Sequence, residues 1–249
     1  MEYTKKNAET IDRWVEEGWR WGIPITHEEY LEALSGKLDV LLTPTKNVPG
    51  EWFGDLRGKR LLGLASGGGQ QMPVFCAHGA LCTVMDLSDR QLESERMVAE
   101  REGYSIGIIK GDMTEPFPFD DCTFDIIFHP VSNCYIRDVQ HVWNECFRVL
   151  KHGGILMAGL DSGINFLFDE NEDVIRYTLP FDPLSNPEHL KDLQDTDSGL
   201  QFSHTIEEQL GGQLKAGLVL TDIYDDTNGE GPLHEHNAPS FIATRAVKP

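Results

Sequence analysis

Short apolar runs that stop at glycine or at an acidic residue recur through the middle of the chain, at about 60–65, 81–85, 105–109, 123–129 and 154–160. Runs of that length bounded by turn residues predict buried strands. Between them the period changes. Val139, Val142, Trp143, Cys146, Phe147 and Leu150 fall at helical spacing, so a helix starting near Asp138 presents one continuous apolar face, and its aromatics are core. Ser88 with Gln91 three residues on predicts a capping box for a second helix, and Gly103 predicts its stop. Strands alternating with helices predict a parallel sheet covered on both faces.

The alternation breaks after the fifth strand. From 161 to 204 there are ten acidic and two basic side chains, with Pro180, Pro183 and Pro187 interrupting any long helix. The segment reads as an insertion or cap. Thr205 and Glu208 form another capping box, and Ile206, Leu210 and Leu214, four apart, share one face of a helix that leads to Gly217. Residues 218–224 and 240–247 can then pair as an antiparallel hairpin that closes the sheet. At the other end, Ile11, Trp14, Val15 and Trp19 fit one helical face, and Trp21, Tyr30 and Trp52 add aromatic surface. This divides the chain into an arm or lid over 1–57 and a main domain over 58–249.

Composition narrows the partners. At 249 residues and 40% apolar the chain can bury a sizeable core, while a net charge of −20 disfavours nucleic acid, which is bound through clustered lysine and arginine. Cys76, Cys82, Cys122, Cys134 and Cys146 form no Cys-x-x-Cys pair and read as reduced, mostly buried thiols. The first residues lack the apolar core of a signal peptide and no run is long enough to span a bilayer, so a cytoplasmic location is expected, with no membrane partner.

The candidate chemistry starts where Arg60–Leu64 runs through Ala65 and Ser66 into Gly67, Gly68 and Gly69. A buried strand entering a glycine turn brings backbone close to a ligand, because only glycine leaves that space open. The next strand ends at Asp86, where a carboxylate can accept hydrogen bonds from ribose hydroxyls. The dinucleotide fingerprint needs glycine at first, third and sixth positions. Counting from Gly67 the sixth is Met72, and from Ala65 it is Gln70, so a nicotinamide cofactor is disfavoured.

The segment resembles motif I of the class I S-adenosylmethionine-dependent methyltransferases, with Ala65, Gly67 and Gly69 at the three glycine places and Gly63 where that family usually carries an acidic residue. The resemblance runs on through Lys110–Met113, Phe117–Phe128 and Val142–Leu156, covering residues 58–160. It implies a Rossmann-like α/β fold with a seven-stranded, mostly parallel sheet whose last strand is antiparallel, helices on both faces, an N-terminal helical arm and a cap insertion. It also implies S-adenosylmethionine as cofactor and methyl transfer to a small-molecule acceptor. By position, Ala65, Ser66, Gly67, Gly69 and Gln70 surround the methionine–ribose portion, Asp86 with Leu87 takes the ribose, and Asp112 with Met113 the adenine. A catalytically silent cofactor sensor or interaction protein, and an NAD-dependent oxidoreductase, are the alternatives.

The loop after the fourth strand, Phe128–Tyr135, lines the transfer site in this family. His129 has the side chain of a general base, and it also closes the far side of the cofactor; the competing account is a ring bonded to backbone. Asn133 and Tyr135 are candidates to orient the acceptor, or a turn residue and a packing residue. The arm's aromatics either pack on the core or cover the sulfonium. His234 and His236, with Glu230 nearby, would put two imidazoles on one side of an extended chain, but without a third ligand no metal is assigned. An acid-lined cap around the acceptor would favour a cationic or neutral molecule.

Overall fold

The computed structural model describes residues 2–249. Its centre is a seven-stranded sheet built from β1 (Arg60–Leu64), β2 (Leu81–Asp86), β3 (Gly107–Lys110), β4 (Phe124–His129), β5 (Leu150–Asp161), β6 (Val219–Asp226) and β7 (Phe241–Val247). The order is β3-β2-β1-β4-β5-β7-β6, and β7 runs antiparallel to both of its neighbours while the other strands are parallel. The order reverses between β1 and β4, which opens a crevice at their carboxyl ends.

Burial on both faces explains the unbroken apolar runs. Leu61 and Ile126 point to one side of the sheet, where α3 (Gln71–Ala77) and the segment holding Leu42, Trp52 and Phe53 pack. Leu62 and Ile127 point to the other, against α5 (Val139–Val149), whose Val142, Trp143, Cys146 and Val149 are fully buried. Asp138 caps α5 by accepting the Gln140 N–H at 3.0 Å. α4 (Asp89–Glu102) stops at Gly103, which has φ +74°, the left-handed geometry that glycine adopts at least cost. Its capping box is half made: Ser88 Oγ accepts the Gln91 N–H, but the Gln91 side chain turns away to the Trp21 carbonyl.

β5 starts four residues before the expected 154, directly from the end of α5. After the buried Leu150, residues 151–153 are polar or glycine and half-buried to exposed, so hydropathy does not mark them as strand; Gly153 and Gly154 instead pair with the backbone of Lys248. The five cysteines are unpaired, and Cys122 is exposed rather than buried.

The helix after Thr205 differs most from the pattern. The Thr205–Glu208 capping box is complete, with Thr205 N–H on Glu208 Oε2 at 2.8 Å and Glu208 N–H on Thr205 Oγ1 at 3.1 Å. The next residues, Glu207–Gly211, form a wide π turn before α7 (Gly212–Lys215). Ile206 and Leu214 end up about half exposed while Gln209 and Gln213 are buried. Gly212 is the reason: a Cβ there would lie 2.5 Å from Trp143 Cδ1, so this face seats against α5, which turns Ile206 and Leu214 outward and leaves Leu210 alone of the three packed on the core.

The arm begins with α1 (Glu2–Glu16), which ends before Gly18, so Trp19 lies beyond the helix rather than on its face. α2 (His27–Leu34) opens with a reciprocal box between Thr26 and Glu29. The 161–204 segment has its own small core of Tyr177, Phe181 and Leu193 with Phe166, and contains α6 (Pro187–Asp195), where Pro187 opens the helix instead of breaking it. Arm and cap are tied together: Asn7 exchanges hydrogen bonds with the backbone of Leu200 at 2.8 and 2.9 Å, and Arg13 pairs with Asp197 at 2.6 Å. His234 lies on a short helix, α8 (Gly231–Glu235), with His236 just past it, rather than on an extended chain. Among the described residues no helix is long and apolar enough to cross a membrane, and no three His, Cys, Asp or Glu side chains are grouped to hold a metal.

Candidate active site

The turn after β1 is fixed by β2 and α4. Ala65, at φ +47°, donates its N–H to the Met85 carbonyl at 2.8 Å. The Gly67 N–H reaches Asp86 Oδ2 at 3.0 Å, and the Ser88 N–H reaches Asp86 Oδ1 at 3.0 Å. A Cβ on Gly67 would fall 2.7 Å from Gln91 Cβ and 3.0 Å from Asp86 Oδ2, so only glycine fits between the turn and α4. Burial raises the Asp86 carboxyl above its usual range against the pull of these backbone donors, and the nearby Asp12 adds to the rise.

Two glycines do other work. At Gly63 a Cβ would sit 2.6 Å from Met72 Sδ, so the place of an acidic side chain is filled by a methionine from α3. Gly69, expected against the ligand, is off the cavity wall. Its N–H donates to Glu95 Oε2 at 3.0 Å, and a Cβ would lie 2.8 Å from Val98 Cγ2, so it serves close packing of α4. Gln70 is on the wall, but its amide is already donated to the carbonyls of Arg20 and Ile23 at 2.8 Å each, which fastens the arm to the turn. Gln71, overlooked in the sequence, lines the wall beside Ser66, with their side chains 3.3 Å apart.

Ala65, Ser66, Gly67, Asp86, Leu87, Asp112 and Met113 all border one cavity of about 550 Å³. Asp112 is held by Thr114, whose N–H and hydroxyl reach Oδ1 at 2.9 and 2.7 Å. The far half is walled by the cap through Phe166, Phe168, Tyr177 and Phe181, and the arm contributes Asn7, Trp19 and Trp21. The aromatics of the arm therefore divide. Trp19 and Trp21 face the cavity, Tyr30 stacks on Tyr104, and Trp52 is core.

The expectation of His129 as a base is corrected. The ring is fully buried and off the cavity wall, with Nδ1 3.0 Å from the Leu64 carbonyl and Nε2 2.9 Å from Asn133 Oδ1. Burial lowers its pKa and so disfavours the imidazolium that two oxygen acceptors would require. A half-turn of the Asn133 and Gln209 amides resolves this, giving the neutral ring a donor at Nε2 and giving the otherwise unpartnered Gln209 Nε2 an acceptor. Asn133 is likewise buried and off the wall, committed to His129 and Gln209. Of the three, only Tyr135 is on the wall, where its ring packs against Trp14 and burial pushes its hydroxyl pKa up.

Asp161 was not singled out in the sequence. It ends β5 as Asp86 ends β2, an acid closing an apolar strand, and that shared signal marks it. On the cavity wall it accepts the Gly163 N–H at 2.5 Å and Asn165 Nδ2 at 3.0 Å, and burial pushes its carboxyl up to about 6.

A family model described as a methyltransferase domain matches residues 62–158. The chain is 40% identical to the uncharacterized methyltransferase YbaJ of Bacillus subtilis (strain 168) over 249 residues, 97% of each chain. A ubiquinone/menaquinone biosynthesis C-methyltransferase, UbiE, of Ruegeria sp. (strain TM1040) is 35% identical over 113 residues, 43% of this chain and 44% of that one. Among solved structures, an S-adenosylmethionine-dependent methyltransferase from Mesorhizobium loti superposes with a TM-score of 0.63 at 18% identity, covering 79% of this chain and 94% of that one.

Proposed function

The chain belongs to the class I S-adenosylmethionine-dependent methyltransferases, and from that premise we propose that it methylates a small molecule enclosed beneath the 161–204 cap. S-adenosylmethionine is its methyl donor, which sets aside the nicotinamide and silent-sensor alternatives. The observation that carries the acceptor reading is the single cavity running from the glycine turn to the aromatic rings of the cap. A concave space bordered by arm and cap suits a small ligand.

The turn fits the donor, since a Cβ at Gly67 would fill the cradle. Ala65, Ser66 and Gly67, with Gln70 and Gln71 beside them, are assigned to its methionine–ribose portion. Asp86 and Leu87 are assigned to the ribose, and Asp112 and Met113 to the adenine. With Met72 occupying the space over Gly63, the amino-acid end is left to side chains of the turn such as Ser66 and Gln71. When bound, the donor supplies a methyl carbon activated by its sulfonium. The chain's part is alignment and exclusion of water: Trp19 and Trp21 cover one side, the cap closes the other, and Tyr135 orients the acceptor. His129 holds the loop after β4 to the end of β1 through Leu64.

Calorimetric titration with S-adenosylmethionine, S-adenosylhomocysteine and NAD tests the donor site, followed by an acceptor screen that reads S-adenosylhomocysteine release. The expected result is saturable binding of the first two alone and turnover of a small molecule. Binding of NAD alone, or turnover confined to protein or nucleic acid, would overturn the reading.

A further inference from the structure

The arm also reaches the donor site by a route that does not pass through the cavity. Asp12, on α1, lies well before the 62–158 family match and is off the cavity wall. Its Oδ1 accepts the Ser88 hydroxyl at 2.6 Å and the Arg90 N–H at 3.0 Å. One turn further along α1, Glu16 pairs with the Arg90 guanidinium at 2.6 Å, so α1 is laid against the start of α4.

Ser88 links that contact to Asp86. It is fully buried, its N–H is donated to Asp86 Oδ1 at 3.0 Å, and its Oγ accepts the Gln91 N–H at 3.1 Å. In a reciprocal capping box the Gln91 side chain would take the Ser88 N–H. Here Asp86 takes it, Gln91 turns to the Trp21 carbonyl, and the hydroxyl hydrogen of Ser88 is left to an acceptor outside α4. Asp12 is that acceptor. It also satisfies the Arg90 N–H, one of the donors that the first turn of a helix leaves without an internal partner, at the end where the helix dipole favours an anion. Asp86 is thus held by donors on both oxygens, Ser88 N–H on Oδ1 and Gly67 N–H on Oδ2. Gly67 is confined between Gln91 and Asp86, and Ser88 is fixed by Asp12.

Building on the assignment of Asp86 to the ribose, we propose that Asp12 is a positioning residue of the donor site: through Ser88 it holds the Asp86 carboxylate in the orientation that receives the ribose hydroxyls. The arm is then part of the donor site as well as a cover over it. Asp12 and Ser88 both lie off the cavity wall, so a substitution at either acts on the donor through Asp86 and leaves the contacts of its other portions in place.

The test titrates the full chain by calorimetry, at neutral pH, with S-adenosylhomocysteine and with its 2′,3′-dideoxy analogue, which lacks both ribose hydroxyls. The unaltered protein is expected to prefer the former by at least about tenfold. Asp12→Ala removes the acceptor and should weaken S-adenosylhomocysteine by about tenfold while the dideoxy analogue binds as before, so that the preference collapses. Asp12→Asn keeps an oxygen for Ser88 and Arg90 and should keep the preference; both substitutions remove the charge, so the bond is what separates them. Ser88→Ala cuts the same link from the other side, should match D12A, and carries the test should D12A not fold. Adding D12A to Asp86→Ala should weaken S-adenosylhomocysteine no further, because the two act in series. If D12A and S88A keep the preference, if they weaken both ligands alike as a general loosening of the fold would, or if D12N loses the preference, the proposal falls. If instead the unaltered protein shows no preference, or D86A retains it, the assignment of Asp86 to the ribose fails and the positioning role falls with it.

Discussion

Glu95 makes the sheet-side support of the glycine turn sensitive to pH. Its carboxyl is fully buried on α4, accepts the Gly69 N–H at 3.0 Å and lies 3.4 Å from the Tyr104 hydroxyl. Burial, with the Asp86 charge adding to it, raises its pKa from an ordinary 4.5 to about 8 against the pull of those two donors. A raised carboxyl in the folded state means that, between these values, the folded protein keeps a proton the unfolded chain has released. Stability from this group is therefore complete below about pH 4.5, declines as pH rises, and is flat above about 8. At about 1.4 kcal/mol per unit the full span is on the order of 5 kcal/mol, an upper figure that relaxation around the charge will reduce. Glu95→Gln keeps an oxygen for Gly69 and cannot ionise. Urea unfolding of both proteins from pH 5 to 9 should give curves that meet near pH 5 and diverge in favour of E95Q by several kcal/mol at pH 9. Parallel curves over that range would refute the reasoning, because they would mean that Glu95 titrates alike in both states.

Further changes separate the roles of the neighbouring residues. Gly67→Ala, at a position without positive φ, should act through steric contact with Gln91 and Asp86 alone, costing about 1–3 kcal/mol of stability and weakening S-adenosylhomocysteine binding, as read by melting and calorimetry. Asp86→Ala should weaken S-adenosylmethionine by about 1–3 kcal/mol; unchanged affinity would end its assignment to the ribose. His129→Phe leaves the Leu64 carbonyl and Asn133 without their partner and should lower stability by about 1–3 kcal/mol while turnover per folded molecule persists. A fall in that turnover of about a hundredfold with cofactor binding intact would restore His129 as a base. Gly159→Ala should prevent folding, since its Cβ would lie 1.9 Å from the Leu42 carbonyl oxygen; a soluble protein with a normal melting transition would contradict that close approach.

The centre of the sheet was readable because its inner strands are buried on both faces, so apolar runs leading to Gly67 and Asp86 carry both the element and its ligand-facing end. The closing hairpin was readable from its two runs of β-branched and aromatic residues, although β6 is an edge strand with Val219 and Ile223 about half exposed. What the chain did not announce are positions whose meaning depends on a distant neighbour. His129 follows β4 as a base would, but the Leu64 carbonyl and Asn133 enclose it, and no local pattern contains that contact. Ile206, Leu210 and Leu214 have helical spacing, yet a π turn and the fit of Gly212 on Trp143 turn Ile206 and Leu214 outward and keep only Leu210 on the core. Gly69 sits in the motif as a ligand glycine and is spent on α4, because Glu95 and Val98 approach it from a helix about 25 residues on. Asp161 was within reach, since it repeats the strand-end acid of Asp86, but it stood at the edge of an acidic segment that reads as solvated surface.

The bonds between Asn7 and Leu200 join parts of the chain 193 residues apart, and with Arg13 and Trp14 on Asp197 they make the arm and the cap one roof. This has a consequence for how such an enzyme diversifies. A new cap grafted between relatives would meet an Asn7 shaped for another backbone and would leave a buried amide or the Leu200 peptide group unpaired. Substrate range can therefore change freely by substitution within the roof, whereas exchange of whole segments requires that the arm and the cap be inherited together.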